Sequence, residues 1–147
     1  MLNRRRMGIL LVALSPLVGW GCGWFEDPTP EYLRLQITGP AGAQARVKYT
    51  TQFVAAVNEQ GVTVVEVFSY DELLQTLPVD TTIYIGIDRR FFAEVTPVSA
   101  SSMTLQVKVD VDDRTQINES GVVEARDPFR FAYLFNQRLT RLIDVVL

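Results

Sequence analysis

The sequence predicts an all-β protein, an antiparallel β-sandwich of the Greek-key, immunoglobulin-like type with seven or eight strands. Three observations carry that expectation. From Tyr32 onward apolar and polar residues alternate with period two, the mark of half-buried strands. Turn residues interrupt these runs every eight to twelve positions. The 147 residues, 48% hydrophobic and 21% charged, suit one globular domain of ordinary size.

Leu33 to Thr38 is the first expected strand, closed by Gly39, Pro40 and Gly42. Ala45, Val47 and Tyr49 alternate with Arg46, Lys48 and Thr50 in a second that runs on to Val57. Asn58 to Gly61 is a turn with a glycine available for positive φ. Val62 to Phe68 is a β-branched third strand, apolar enough for burial on both faces. Ser69 and Glu72 stand at capping-box spacing ahead of Leu73, Leu74 and Leu77, so a short helix is expected near 70–77, stopped by Pro78.

Thr81 to Ile87 and Phe91 to Thr96 are two further strands around Asp88-Arg89-Arg90. Met103 to Val111 alternates most cleanly. Asp112-Asp113 turns it into Arg114 to Asn118, and Asn118 to Gly121 reads as another turn. Phe129 to Phe135 is the last strand. Phe135, Leu139, Leu142, Ile143 and Val146 then fall at helical spacing, and a C-terminal amphipathic helix is expected.

Ahead of the domain stands an address. Asn3 to Arg6 is a basic segment, and Gly8 to Gly21 is mostly apolar, the design of a signal peptide over residues 1–21. This stretch of fourteen residues, with Ser15 and Pro16 inside it, is short for a permanent span, which needs about 20 apolar residues. The single cysteine, Cys22, follows Leu17-Val18-Gly19-Trp20-Gly21. This resembles the lipobox of bacterial lipoproteins, with Gly19 and Trp20 departing from the usual residues. The resemblance implies cleavage between Gly21 and Cys22 and acylation of the Cys22 thiol and amine. Two or more acyl chains make a stable anchor where one is marginal. Gly23 in place of an acidic residue favours, by the same resemblance, the periplasmic face of the outer membrane over the inner membrane. Residues 22–31 are then a lipidated tether stiffened by Pro28 and Pro30, and 32–147 the β-domain.

Composition excludes several chemistries. The chain has no histidine and one cysteine, so it builds no Ser-His-Asp or Cys-His nucleophile, no His/Cys zinc site and no internal disulfide. An immunoglobulin-type Cys-Trp-Cys core is excluded for the same reason. Removing residues 1–21 takes away three arginines and no acidic residue, leaving 11 basic and 17 acidic groups and a net charge of −6. Such a surface repels phosphate backbones, and nucleic acid is not an expected partner. Asp110, Asp112 and Asp113 fail the EF-hand spacing, since Arg114 takes the next ligand position. Glu66, Asp71 and Glu72 are the remaining carboxylates of interest, with no sign in sequence that they converge. No cofactor and no metal are expected. Arg89-Arg90-Phe91-Phe92 is a candidate partner-binding corner, against the plainer reading of a strand turn with solvated arginines.

The order of features resembles the MmpS-like transport-accessory family, small single-anchor envelope proteins that accompany MmpL exporters of the resistance-nodulation-division class. The matching residues are Ile37-Thr38-Gly39, Ala45 to Thr50, Leu77-Pro78 before Thr81 to Ile87, Leu105 to Asp113, and Asn118 to Gly121. The resemblance spans about Leu33 to Phe135. It implies an envelope partner protein and no enzymatic activity. The best-known members keep an uncleaved membrane helix and a late cysteine pair, whereas this chain has a lipobox-like end and no second cysteine. The expected function is therefore a non-enzymatic envelope lipoprotein that binds or scaffolds an envelope complex. The alternative is a lipid or sugar carrier with a pocket lined by Phe53, Phe68, Phe92 and Phe131.

Overall fold

The computed structural model describes residues 30–146 apart from 100, 136, 141 and 142, with only the backbone of 137 and 140. The signal peptide, Cys22 and residues 22–29 of the tether lie outside the described residues. The chain is all-β. Its described strands are β1 (Tyr32–Thr38), β2 (Gln44–Thr50), β3 (Phe53–Val57), β4 (Thr63–Val67), β5 (Asp71–Thr76), β6 (Val79–Tyr84), β7 (Arg90–Pro97), β8 (Met103–Val111), β9 (Arg114–Val123), β10 (Phe129–Leu134), β11 (Gln137–Thr140) and β12 (Ile143–Val146). One turn of 3-10 helix, Gly86–Asp88, precedes β7.

The strands form three sheets, ordered β6-β1-β8-β9, β11-β10-β7-β2-β5 and β12-β4-β3. All pairings are antiparallel except β12 beside β4. Alternation explains how they meet. Leu33, Leu35 and Ile37 from β1 and Leu105, Val107 and Val109 from β8 share one buried cluster with Val47, Phe91, Val95 and Phe131 of the second sheet. The opposite face of the second sheet contributes Phe92 and Ala132 to another cluster, with Phe53, Val65 and Val67 of the third sheet and Ile143 of β12. Thus β7 and β10, at the middle of the second sheet, are covered from both sides. Each cluster excludes water from aliphatic and aromatic area worth about 25 cal/mol per Å².

Six sequence expectations need correction. Strands number twelve among the described residues, not seven or eight. The long second strand breaks at Thr51-Gln52, where the buried Thr50 Oγ1 accepts the Gln52 amide at 2.8 Å and bends the chain from the second sheet into the third. The third strand is buried on one face only, with Val65 and Val67 inside and Glu66 outside. No helix forms near 70–77. Those residues are β5, because the free edge of β2 offers a full ladder from Tyr49↔Asp71 to Gln44↔Thr76, and a two-turn helix nucleates poorly. The C-terminal segment is likewise β11 and β12, paired with β10 and β4.

Nor is there a turn at Asn118 to Gly121. β8 extends opposite the whole segment, pairing Lys108↔Asn118 through Leu105↔Gly121, and Gln106 Nε2 donates to Asn118 Oδ1 at 3.0 Å. A bulge at Gln116 absorbs the irregularity between Ile117 and Thr115. The turn at Asn58 to Gly61 stands as expected, with Gly61 at φ +78.

Candidate functional site at the tether end

β1 starts where the tether finishes, and that junction is fastened. The Glu31 carbonyl accepts the Ile85 amide at 2.8 Å. Asp112 Oδ1 accepts the Glu31 and Tyr32 amides at 3.3 and 3.4 Å, and the Asp112 amide donates to the Tyr32 carbonyl at 3.3 Å. Asp112 and Asp113, at φ 44 and 63, form the two-residue β8–β9 hairpin turn with both residues left-handed. Aspartate tolerates that region, so the turn exists without glycine.

Beside it, the 3-10 turn is bracketed by positive φ at Gly86 (+48) and Arg89 (+51). Ile87 at its tip is 93% exposed. The Tyr84 ring lies only 2.8 Å from where a Cβ on Gly86 would sit, and it packs on Tyr32 with ring centroids 5.4 Å apart. Tyr32 and Tyr84 are themselves 51% and 62% exposed.

The candidate corner Arg89-Arg90-Phe91-Phe92 is dispersed by strand geometry. Arg89 is exposed, with its guanidinium carbon 5.6 Å from the centre of the Phe135 ring. Arg90 turns towards the third sheet and donates Nη1 to the Phe53 carbonyl at 2.7 Å. Phe91 is buried between the first and second sheets, and Phe92 between the second and third. Successive side chains of a strand point to opposite faces, so one dipeptide serves two cores. The two phenylalanines are therefore core residues, and of the four only Arg89 is an exposed surface group.

Two recesses flank Tyr84 and Tyr32. One, about 350 Å³, is lined by Tyr32, Arg34, Thr82, Asp110, Asp112 and Asp113. The other, about 330 Å³, includes Tyr49, Gln52, Ser69, Tyr70, Asp71 and Tyr84. Charges on the outer face of the first sheet are mutually engaged. Arg34 grips Asp80 through Nε–Oδ1 at 2.8 Å and Nη2–Oδ2 at 2.6 Å, and Gln36 Nε2 donates to the same carboxylate at 3.1 Å. The Arg34 hydrogen bonds pull the Asp80 carboxyl down to about 2. Asp110 is held below the usual carboxylate range, first by Lys108 Nζ at 2.6 Å and then by the Thr115 hydroxyl at 2.6 Å.

Of the carboxylates singled out in sequence, Glu66, Asp71 and Glu72 do not converge. Glu66 lies on the third sheet, whereas Asp71 and Glu72 take successive and so opposite positions on β5, with Glu72 paired to Arg46 at 3.2 Å. No group of three Asp or Glu residues is placed to hold a metal ion among the described residues. No described helix is long and apolar enough to cross a membrane.

Sequence reasoning missed Tyr32, Tyr84 and Ile87. The available signal was Ile87 itself, a large apolar residue between Gly86 and Asp88 in a turn. Comparisons with known protein families, with curated proteins and with solved structures found no match.

Proposed function

We propose that this chain is a non-enzymatic lipoprotein of the bacterial cell envelope. Residues 1–21 export it, acyl chains on Cys22 hold it on a membrane, and its β-domain binds or scaffolds another envelope component, an MmpL-type exporter being the partner that the MmpS-like resemblance suggests. The domain is read as a β-sandwich of the immunoglobulin-like type with the third sheet added outside. Gly23 favours the periplasmic face of the outer membrane.

The observation that carries this reading is the position of Cys22, the only cysteine, at the end of a basic and then apolar leader. The fold supports it, because the first strand begins ten residues later and its start is clamped by Asp112 and Ile85. Carriage of a lipid or sugar in a phenylalanine-lined pocket has less support. Phe53 and Phe92 pack in one cluster, Phe131 in the other, and Phe68 is 62% exposed, so the four do not line a common space.

Feeding cells an alkyne fatty acid tests the anchor. Wild type takes up label and Cys22→Ala does not; equal labelling refutes the reading. For the partner, crosslinking in intact membranes traps one stoichiometric neighbour, and monomer alone counts against scaffolding.

A further inference from the structure

We propose that Tyr32, Tyr84 and Ile87 form a surface that rests on the lipid headgroup interface of the membrane carrying the Cys22 anchor. The inference rests on the lipoprotein reading and adds an orientation to it: strands stand on the bilayer with the Gly86–Asp88 turn downward.

The first argument is reach. Tyr32 stands ten positions after Cys22, a span of at most about 36 Å when fully extended. β8, with nine residues, makes the domain about 30 Å tall along its strands. For the opposite end to rest on the lipid, the tether would have to run almost fully extended along that whole height, so the end that receives it is the one that faces the lipid. The β7–β8 loop with Val98 lies at the other end.

The second argument is chemistry. Ile87 is 93% exposed at the tip of a turn, and Tyr32 and Tyr84 expose about half or more of their surface beside it. Tyrosines settle where one end of the side chain is apolar and the other wet, as at a headgroup layer. Asp88, Asp112 and Asp113 stand at the same end and oppose deep insertion, so the contact is shallow. The backbone turns at the tip, where Gly86 and Arg89 both take left-handed φ and the Tyr84 ring fills the space against Gly86.

The test uses the full-length lipoprotein with Ile87→Cys or Val98→Cys, both at exposed sites, labelled with a thiol-reactive fluorophore. Acylation blocks the Cys22 thiol, so each variant carries one label. Proteins are reconstituted in phosphatidylethanolamine and phosphatidylglycerol vesicles containing nitroxide lipids. Lipid quenching at position 87 is expected to exceed that at 98 by at least about twofold, given the ~30 Å between the two ends. Equal quenching at both positions overturns the proposal. So does protection of position 87 from aqueous iodide without lipid quenching, which means that protein covers the tip. Fatty-acid labelling of the same samples separates the failures. Labelled protein with equal quenching discards only the surface, whereas protein without label discards the anchor reading and this inference with it.

Discussion

Arg130 and Glu94 stand directly opposite one another on β10 and β7, with Arg130 Nε donating to Glu94 Oε2 at 2.8 Å. Their side chains are 30% and 18% exposed, on the face of the second sheet that meets the third. Arg130 Nη1 also reaches the Ile143 carbonyl at 3.5 Å, which links β12 to the pair. Glu94→Ala leaves a partly desolvated guanidinium without its counter-charge, and the expected loss is about 1–2 kcal/mol. Urea denaturation checks it. Partial exposure means salt screens the pair, so the loss shrinks at high ionic strength.

Phe91 and Phe92 are neighbours in sequence and belong to different cores. Each truncation to alanine is expected to cost about 3–5 kcal/mol, the range for large buried aromatics. What separates them is where protection is lost. Phe92→Ala removes a ring that meets Phe53 at 6.1 Å, so amide exchange rises first in β3, β4 and β12. Phe91→Ala removes contacts with Tyr49 and Phe131 at 5.9 and 5.8 Å and loosens the pairing of the first and second sheets. Equal exchange in all three sheets for both variants contradicts the division.

The period-two pattern made β1 and β8 legible almost to the residue, because each buries one face and solvates the other. It failed where two geometries share a spacing. Leu139 and Ile143 are four apart, which places them on one side of a helix and equally at same-parity strand positions. Both pack on the second cluster, Leu139 from β11 and Ile143 from β12. The Ser69–Glu72 spacing was a sound local helix signal overridden by a distant one, the open edge of β2. The tether-end site was not legible. Asp112 meets Glu31 across 81 residues, and alternation carries no information about such a contact.

Asp80 predicts an acid-dependent stability. Its carboxyl is drawn by the Arg34 hydrogen bonds from 3.8 to about 2 in the folded chain. A depressed folded value means that the stabilisation is complete above the unfolded value and disappears as pH falls from there through about 2. The melting temperature of wild type should therefore exceed that of Asp80→Asn at pH 6, with the gap closing between pH 4 and 2. Carboxyl NMR gives the direct check: the Asp80 midpoint moves up towards its ordinary value in Arg34→Met.

Gly86 and Gly42 form a controlled pair. Both have positive φ, +48 and +77, but a Cβ on Gly42 meets nothing within 4 Å, whereas one on Gly86 meets the Tyr84 ring at 2.8 Å. Gly42→Ala is expected to cost about 1 kcal/mol from the backbone alone. Gly86→Ala costs more, about 1–3 kcal/mol, because Tyr84 must also shift. Tyrosine fluorescence separates the two, changing in Gly86→Ala and staying as wild type in Gly42→Ala.

The β8–β9 turn asks the same question in reverse. Asp112 and Asp113 both occupy left-handed conformations at φ 44 and 63, yet only Asp112 has a second task, accepting the Glu31 and Tyr32 amides. Asp113→Gly relieves a strained residue without removing either hydrogen bond. It is expected to stabilise the domain by about 0.5–1 kcal/mol, the second position of such a turn being best served by glycine. Asp112→Gly relieves comparable strain but abandons the start of β1, so it gains nothing or destabilises. Chemical denaturation ranks Asp113→Gly above wild type and wild type at or above Asp112→Gly. The reverse order means that Asp112 serves the turn alone, and the tether junction is then held by the Glu31 carbonyl and the Ile85 amide.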